Sequence, residues 1–105
     1  MIVEPHHINR LNEAEAERLA LLAEEMSESI HAICKILRHG YESTHPMMPK
    51  GPTNRDNLEQ EIAHVYVAAR MMFDAGDISR AGCSTHEQIK GEELHRYLHH
   101  QARQS

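Results

Sequence analysis

The sequence has no tryptophan, and its aromatics are few: Tyr41, Tyr66, Phe73 and Tyr97 make up 4% of 105 residues. An all-β sandwich leans on aromatic and β-branched residues, so that architecture is disfavoured. Only two cysteines occur, Cys34 and Cys83, without CxxC spacing. They read as free thiols of a reducing compartment rather than a disulfide framework. No apolar run approaches the roughly 18 residues that cross a bilayer. Met1 to Asn12 carries Glu4, Pro5, His6 and His7 and no apolar block of the signal-peptide kind. A cytoplasmic protein without a membrane partner is expected. Basic excess is missing too: the formal charge is −5 with histidine neutral. A nucleic-acid partner would want a basic face, so none is expected. A small anionic ligand stays open, because a bound cation inverts the local sign. No Walker loop, GxGxxG or Ser-His-Asp order is present.

What the chain has in quantity is Ala, Leu, Glu, Met and Arg, all good helix formers. A length of 105 residues fits one domain with one core. A helix should begin near Asn12, with Glu15 at capping-box spacing. Its apolar stripe is Leu19, Leu22, Met26, Ile30, Ile33 and Leu37, and His39-Gly40 ends it. Pro46, Pro49, Gly51 and Pro52 then enforce a break from Gly40 to Thr53. A second helix should run from Thr53 or Asn54 to about Ala75. Its stripe is Leu58, Ile62, Val65, Tyr66, Ala69, Met72 and Phe73, and Gly76 and Asp77 stop it. These elements make a core of about residues 12–78. A weaker helix of about 85–101, opening at Ser84 or Thr85, carries Ile89, Leu94, Tyr97 and Leu98 and frays towards Ser105. Val67 and Met71 lie off the second stripe, and such apolar surplus suits a subunit interface. The expectation is an all-α domain over 1–105, a helical bundle completed by homo-oligomerisation as a homodimer or homotetramer.

The informative residues are acids on the apolar arcs. With Met26 at the centre of the first stripe, Glu25 lies about 100° to one side, between Ile36 and Ala32. Glu28 follows three residues on, at the border of the solvated face. With Ile62 at the centre of the second stripe, Glu61 lies about 100° to the same side, and His64 sits at the border. Packed antiparallel, the helices would gather Glu25, Glu28, Glu61 and His64 into one cluster. Clustered carboxylates repel unless a cation joins them, and oxygen ligands suit Mg²⁺ or Mn²⁺. Lys35 lies two turns beyond Glu28, in reach of a phosphate, with Arg38 and Arg55 as further cations. His39 and Tyr41, with the Pro-rich loop, are candidates to close over a base. His95 and His99, with His100 beside them, have a transition-metal spacing but no HExxH or cysteine partner. His6, His7, His31, His45 and His86 read as surface residues.

The string Glu24-Glu25-Met26-Ser27-Glu28, a loop, and then Glu61-Ile62-Ala63-His64 resembles the EExxE and ExxD signature of the all-α nucleoside triphosphate pyrophosphohydrolases, the MazG-like group. Flanking text is similar to small phage and bacterial members: Lys35-Ile36-Leu37-Arg38-His39-Gly40-Tyr41-Glu42-Ser43, Thr53-Asn54-Arg55 and Asp74-Ala75-Gly76-Asp77-Ile78. The likeness covers roughly Leu19 to Ile78. It implies Mg²⁺-dependent cleavage of a (d)NTP between the α and β phosphates, giving a nucleoside monophosphate and pyrophosphate. By motif match Glu25, Glu28 and Glu61 would hold metal, and Glu24 would support the site or orient the attacking water. His64 stands where the family has Asp. Imidazole suits Mn²⁺ or another transition metal better than Mg²⁺, and one negative charge is lost. The alternative implied is a catalytically weak or inactive relative that binds a nucleotide or a partner protein.

Overall fold

The structure is a computed structural model and describes residues 6–101. All regular structure among these residues is helical: α1 (His6–Asn9), α2 (Glu13–His39), α3 (Asn54–Ala75) and α4 (Arg80–Glu93), followed by one 3₁₀ turn at Leu94–Arg96. The tail beyond residue 101, where fraying was expected, lies outside the described residues. No described helix is long and apolar enough to cross a membrane.

Local chemistry sets the bounds of the two long helices. Asn12 caps α2: its side chain accepts from the Glu15 N–H at 2.8 Å, and the Glu15 carboxylate accepts from the Asn12 N–H at 3.0 Å. These reciprocal bonds satisfy donors that a helix start otherwise leaves open. Thr53 and Asp56 repeat the device on α3 at 3.1 and 2.9 Å. The Thr53 N–H, which donates to the Asp56 carboxylate, and secondly the Thr53 side chain hold that carboxyl below its usual range. α3 stops at Gly76, whose φ of +81° is a left-handed conformation that glycine adopts without a Cβ penalty.

α4 begins at Arg80, ahead of the expected Ser84 or Thr85. The Ser79 hydroxyl accepts from the Gly82 N–H at 2.9 Å and is the cap. The Thr85 hydroxyl instead donates to the Ala81 carbonyl at 3.0 Å, one turn back within the helix, so it caps nothing. The α-helix ends at Glu93, short of the expected reach to 101, and His95 lies on the 3₁₀ turn. α4 makes at most marginal contact with the long helices. It is tethered at its start, where the Arg80 guanidinium lies 4.6 Å over the Phe73 ring.

α2 and α3 form an antiparallel hairpin. Its seam on α2 follows Arg18, Leu22, Glu25, Ser29, Ala32 and Ile36, in steps of three and four. On α3 it follows Leu58, Glu61, Val65, Ala68 and Met72. This is coiled-coil spacing with small residues and acids at the middle. Only Ser29, Ala32, Ala68 and Met72 are buried among the described residues. The open end of the hairpin is clamped by Arg18 and Asp77, paired at 2.6 and 3.0 Å. That pair raises the Arg18 guanidinium and lowers the Asp77 carboxyl from their ordinary ranges, mainly through the hydrogen bond.

The apolar stripe marked by the sequence of α2 is therefore not the face that α3 covers. Leu19, Met26, Ile30, Ile33 and Leu37 are exposed, Ile30 by 61% and Leu37 by 80%. Tyr66, Val67 and Met71 of α3 are exposed as well. The radius of gyration is 18.4 Å, against about 13 Å for a compact domain of this length. The described residues do not close a core of their own.

Candidate metal centre

Glu25 and Glu61 occupy seam positions, so each helix delivers an acid into its partner. Their side chains are 16% and 17% exposed. Glu28 and His64 follow one turn later on the outer lip of the seam, and both residues are exposed. Because the helices run in opposite directions, Glu28 falls towards Glu61 and His64 towards Glu25. His64 Nδ1 lies 3.3 Å from Glu25 Oε2 and 3.7 Å from Glu61 Oε2. One ligating atom from each of the four residues lies within 4.8 Å of all the others. Among the described residues this is the group of three or more acids, histidines or cysteines placed to share an ion; His95, His99 and His100 form none.

Two atoms in the cluster are anomalous. Oε2 of Glu25 and Oε2 of Glu61 are shut off from solvent and accept no hydrogen bond. Buried polar atoms nearly always have a partner, and an orphaned one calls for an explanation such as an ion. The Ser29 hydroxyl, buried beside them, does not help: it donates to the Glu25 carbonyl of its own helix at 3.0 Å. Three carboxylates and one imidazole make a donor set that fits one hard or borderline divalent cation.

The other sequence-derived residues divide by position. Glu24 is exposed on α2 and stands outside the four. Lys35 borders a cavity of about 180 Å³ that touches the cluster through Glu28 and Glu61. Arg38 and His39 line a second cavity of about 480 Å³ beneath the α2–α3 loop. Arg55 and Tyr41 line neither cavity. They are engaged with each other, the Arg55 guanidinium 4.3 Å over the Tyr41 ring, while Arg55 Nε donates to Glu42 at 2.8 Å. That bond raises the Arg55 guanidinium above its ordinary range.

Several residues at the site escaped the sequence reading. Asn54 and Asn57 border both cavities, and His31 and His45, taken as surface residues, line one each. The available signal was helical spacing: 28, 31 and 35 share a face of α2, and 54, 57 and 61 share a face of α3. No protein-family model, curated protein or solved structure matches the chain.

Proposed function

We propose that this chain is a metal-dependent nucleoside triphosphate pyrophosphohydrolase of the MazG-like all-α type, converting a (d)NTP to the monophosphate and pyrophosphate. The observation that carries the reading is the convergence of Glu25, Glu28, Glu61 and His64, with two carboxylate oxygens buried and unpartnered. Its resemblance to the EExxE and ExxD pattern supports it. A divalent cation there, Mg²⁺ or, with an imidazole in the set, Mn²⁺ or another transition metal, supplies Lewis-acid polarisation of phosphoryl oxygens. The residues do the rest by position and charge. Glu25 and Glu61 hold the inner side of the cluster, and Glu28 and His64 the outer side. Glu24, on the adjacent exposed position, orients the attacking water. Lys35 and Arg38 receive phosphate charge on the cavity side, and His39 borders the base. Tyr41 and Arg55, locked to each other, act on substrate only if that pair opens. Phosphoryl transfer asks the protein mainly for positioning and neutralisation, which such a set provides.

The exposed stripe of α2 and the thin seam support assembly of a homodimer or homotetramer, in which a second copy covers Met26, Ile30 and Ile33. Nucleotide hydrolysis of this kind belongs in the cytoplasm.

Pyrophosphate release from a panel of NTPs and dNTPs, with Mg²⁺ and with Mn²⁺, tests the activity. Wild type should turn over at least one nucleotide. Glu25→Gln and Glu61→Gln should lose at least about a hundredfold in rate, as removal of electrostatic stabilisation commonly costs. A metal-independent activity, or one untouched by both substitutions, contradicts the reading.

One observation favours a second reading. His64 Nδ1 lies 3.3 and 3.7 Å from the two buried oxygens, so a charged ring would offset the acids' charge with no metal. The chain would then be a non-catalytic relative that binds a nucleotide or a partner through the same cleft. Nucleotide binding without pyrophosphate release, unaffected by chelator, is its signature.

A further inference from the structure

The cluster is not a closed hole. On its Glu28–Glu61 side it meets the smaller cavity, and that cavity shares Lys35, Asn54 and Asn57 with the larger one beneath the loop. The two are neighbours. Glu28, His31, Lys35 and Arg38 line one or the other along α2 at helical spacing. At about 1.5 Å per residue, Glu28 to Arg38 spans about 15 Å. Charge reverses along this length. Acids stand at one end, two amides in the middle and Lys35 and Arg38 beyond. Neither cation takes part in an ion pair among the described residues.

The far end has a different chemistry. Pro46, Met48 and Pro52 give it an apolar wall, and His45 a polar edge. This wall is built before any ligand arrives. Thr44 and Thr53 bridge the base of the loop, and the Asn54 N–H donates to the Ser43 carbonyl at 2.9 Å. Within the loop the Met48 N–H donates to the His45 carbonyl and the Gly51 N–H to the Met48 carbonyl, both at 2.8 Å. The Met47 N–H donates to His45 Nδ1 at 3.1 Å. In the neutral ring that bond puts the proton on Nε2, which leaves His45 a donor. A preformed space of about 480 Å³ is in the usual range of small-molecule sites. A bare polyphosphate would leave it unfilled and its apolar wall wet.

We infer that the loop cavity is a second subsite for the uncharged heterocyclic head of a ligand whose polyphosphate end points to the acid cluster. The inference rests on the metal-centre reading and adds the ligand's direction: a nucleoside polyphosphate lies lengthwise along α2, with its phosphates over Lys35 and its base against Met48. Met48 is then a specificity-determining residue. It is 56% exposed, so it can be replaced without disturbing the hairpin.

Calorimetric titration of the full chain tests this in three steps: Mn²⁺ alone, then inorganic tripolyphosphate and α,β-imido-ATP or α,β-imido-UTP at saturating Mn²⁺. Wild type should bind at least one imido nucleotide tenfold or more tighter than tripolyphosphate. Met48→Ala, which removes that part of the apolar wall, should remove most of that advantage and leave Mn²⁺ and tripolyphosphate affinities within twofold. Lys35→Gln should weaken both polyphosphates. Mn²⁺ binding with equal affinity for nucleotide and tripolyphosphate, or a Met48→Ala chain that keeps the full nucleotide advantage, overturns the subsite alone. Absence of Mn²⁺ binding removes the metal centre and the subsite together.

Discussion

Replacing Glu61 by Gln separates a structural acid from a ligand. Glutamates that hold a fold together destabilise it when removed. Here the opposite is expected of the metal-free protein. Ligating oxygens of Glu25, Glu28 and Glu61 lie within 4.8 Å of one another. At that separation two unit charges repel by about 1 kcal/mol in bulk water and about 3.5 kcal/mol at an effective dielectric of 20. The inner acids are 16–17% exposed, so the relief falls between those limits. For a domain of about 100 residues, 1 kcal/mol moves the melting temperature by roughly 5 °C. Glu61→Gln should therefore melt at least several degrees above wild type in EDTA. In Mn²⁺ the gap should shrink by about 2.3 kcal/mol, and the order inverts wherever the relief is smaller than that. At a metal concentration one hundred times Kd, binding stabilises wild type by about 2.7 kcal/mol, or roughly 13 °C. A variant with a hundredfold weaker site keeps about 0.4 kcal/mol, or roughly 2 °C. Circular dichroism melts with EDTA and with Mn²⁺ read both numbers. A Glu61→Gln chain that melts lower in EDTA and keeps the full Mn²⁺ shift would refute the argument that this acid serves an ion.

Three further outcomes follow from the same geometry. His64→Asp exchanges a nitrogen donor for oxygen, so calorimetry should show the Mg²⁺ to Mn²⁺ affinity ratio moving towards Mg²⁺ by about tenfold or more. The Asp77 carboxyl is held down by Arg18, so the stability it lends is fully present above the ordinary carboxylate range near about pH 4 and is lost as pH falls through its lower folded value. Asp77→Asn should thus melt below wild type at pH 7, with the gap closing towards pH 2 in thermal melts. Ile30→Glu with Ile33→Glu puts charge on the uncovered stripe of α2, and light scattering should report the monomer mass where wild type gives a dimer or tetramer.

The helix bounds were legible where capping is local: Asn12 with Glu15, and Gly76 after α3, need only their neighbours in sequence. The start of α4 was not, because Ser79 and Thr85 carry the same hydroxyl. Which one caps depends on where the helix starts: Thr85 lies inside α4, and its hydroxyl donates to the Ala81 carbonyl one turn back. The acids at 25 and 61 could be placed on the wheel because burial of a carboxylate is a matter of angle. The angle did not reveal that the seam runs through Ser29 and Ala32 rather than through Met26 and Ile30. Hydrophobic period marks the most apolar face, and it is silent on whether the same chain or another one covers it. The loop cavity was invisible for a related reason. Three prolines forbid a helix, but the Thr44–Thr53 bridge that shapes their wall joins residues nine apart with no pattern between them.

Crystals soaked in Mn²⁺ and measured for anomalous scattering give the most direct test of the claim that two helices aim four side chains at one ion. The account predicts a single strong peak bonded to Glu25, Glu28, Glu61 and His64, with oxygens at roughly 2.0–2.3 Å. A peak held instead by His95 and His99, or none between Glu25 and Glu61, would contradict it.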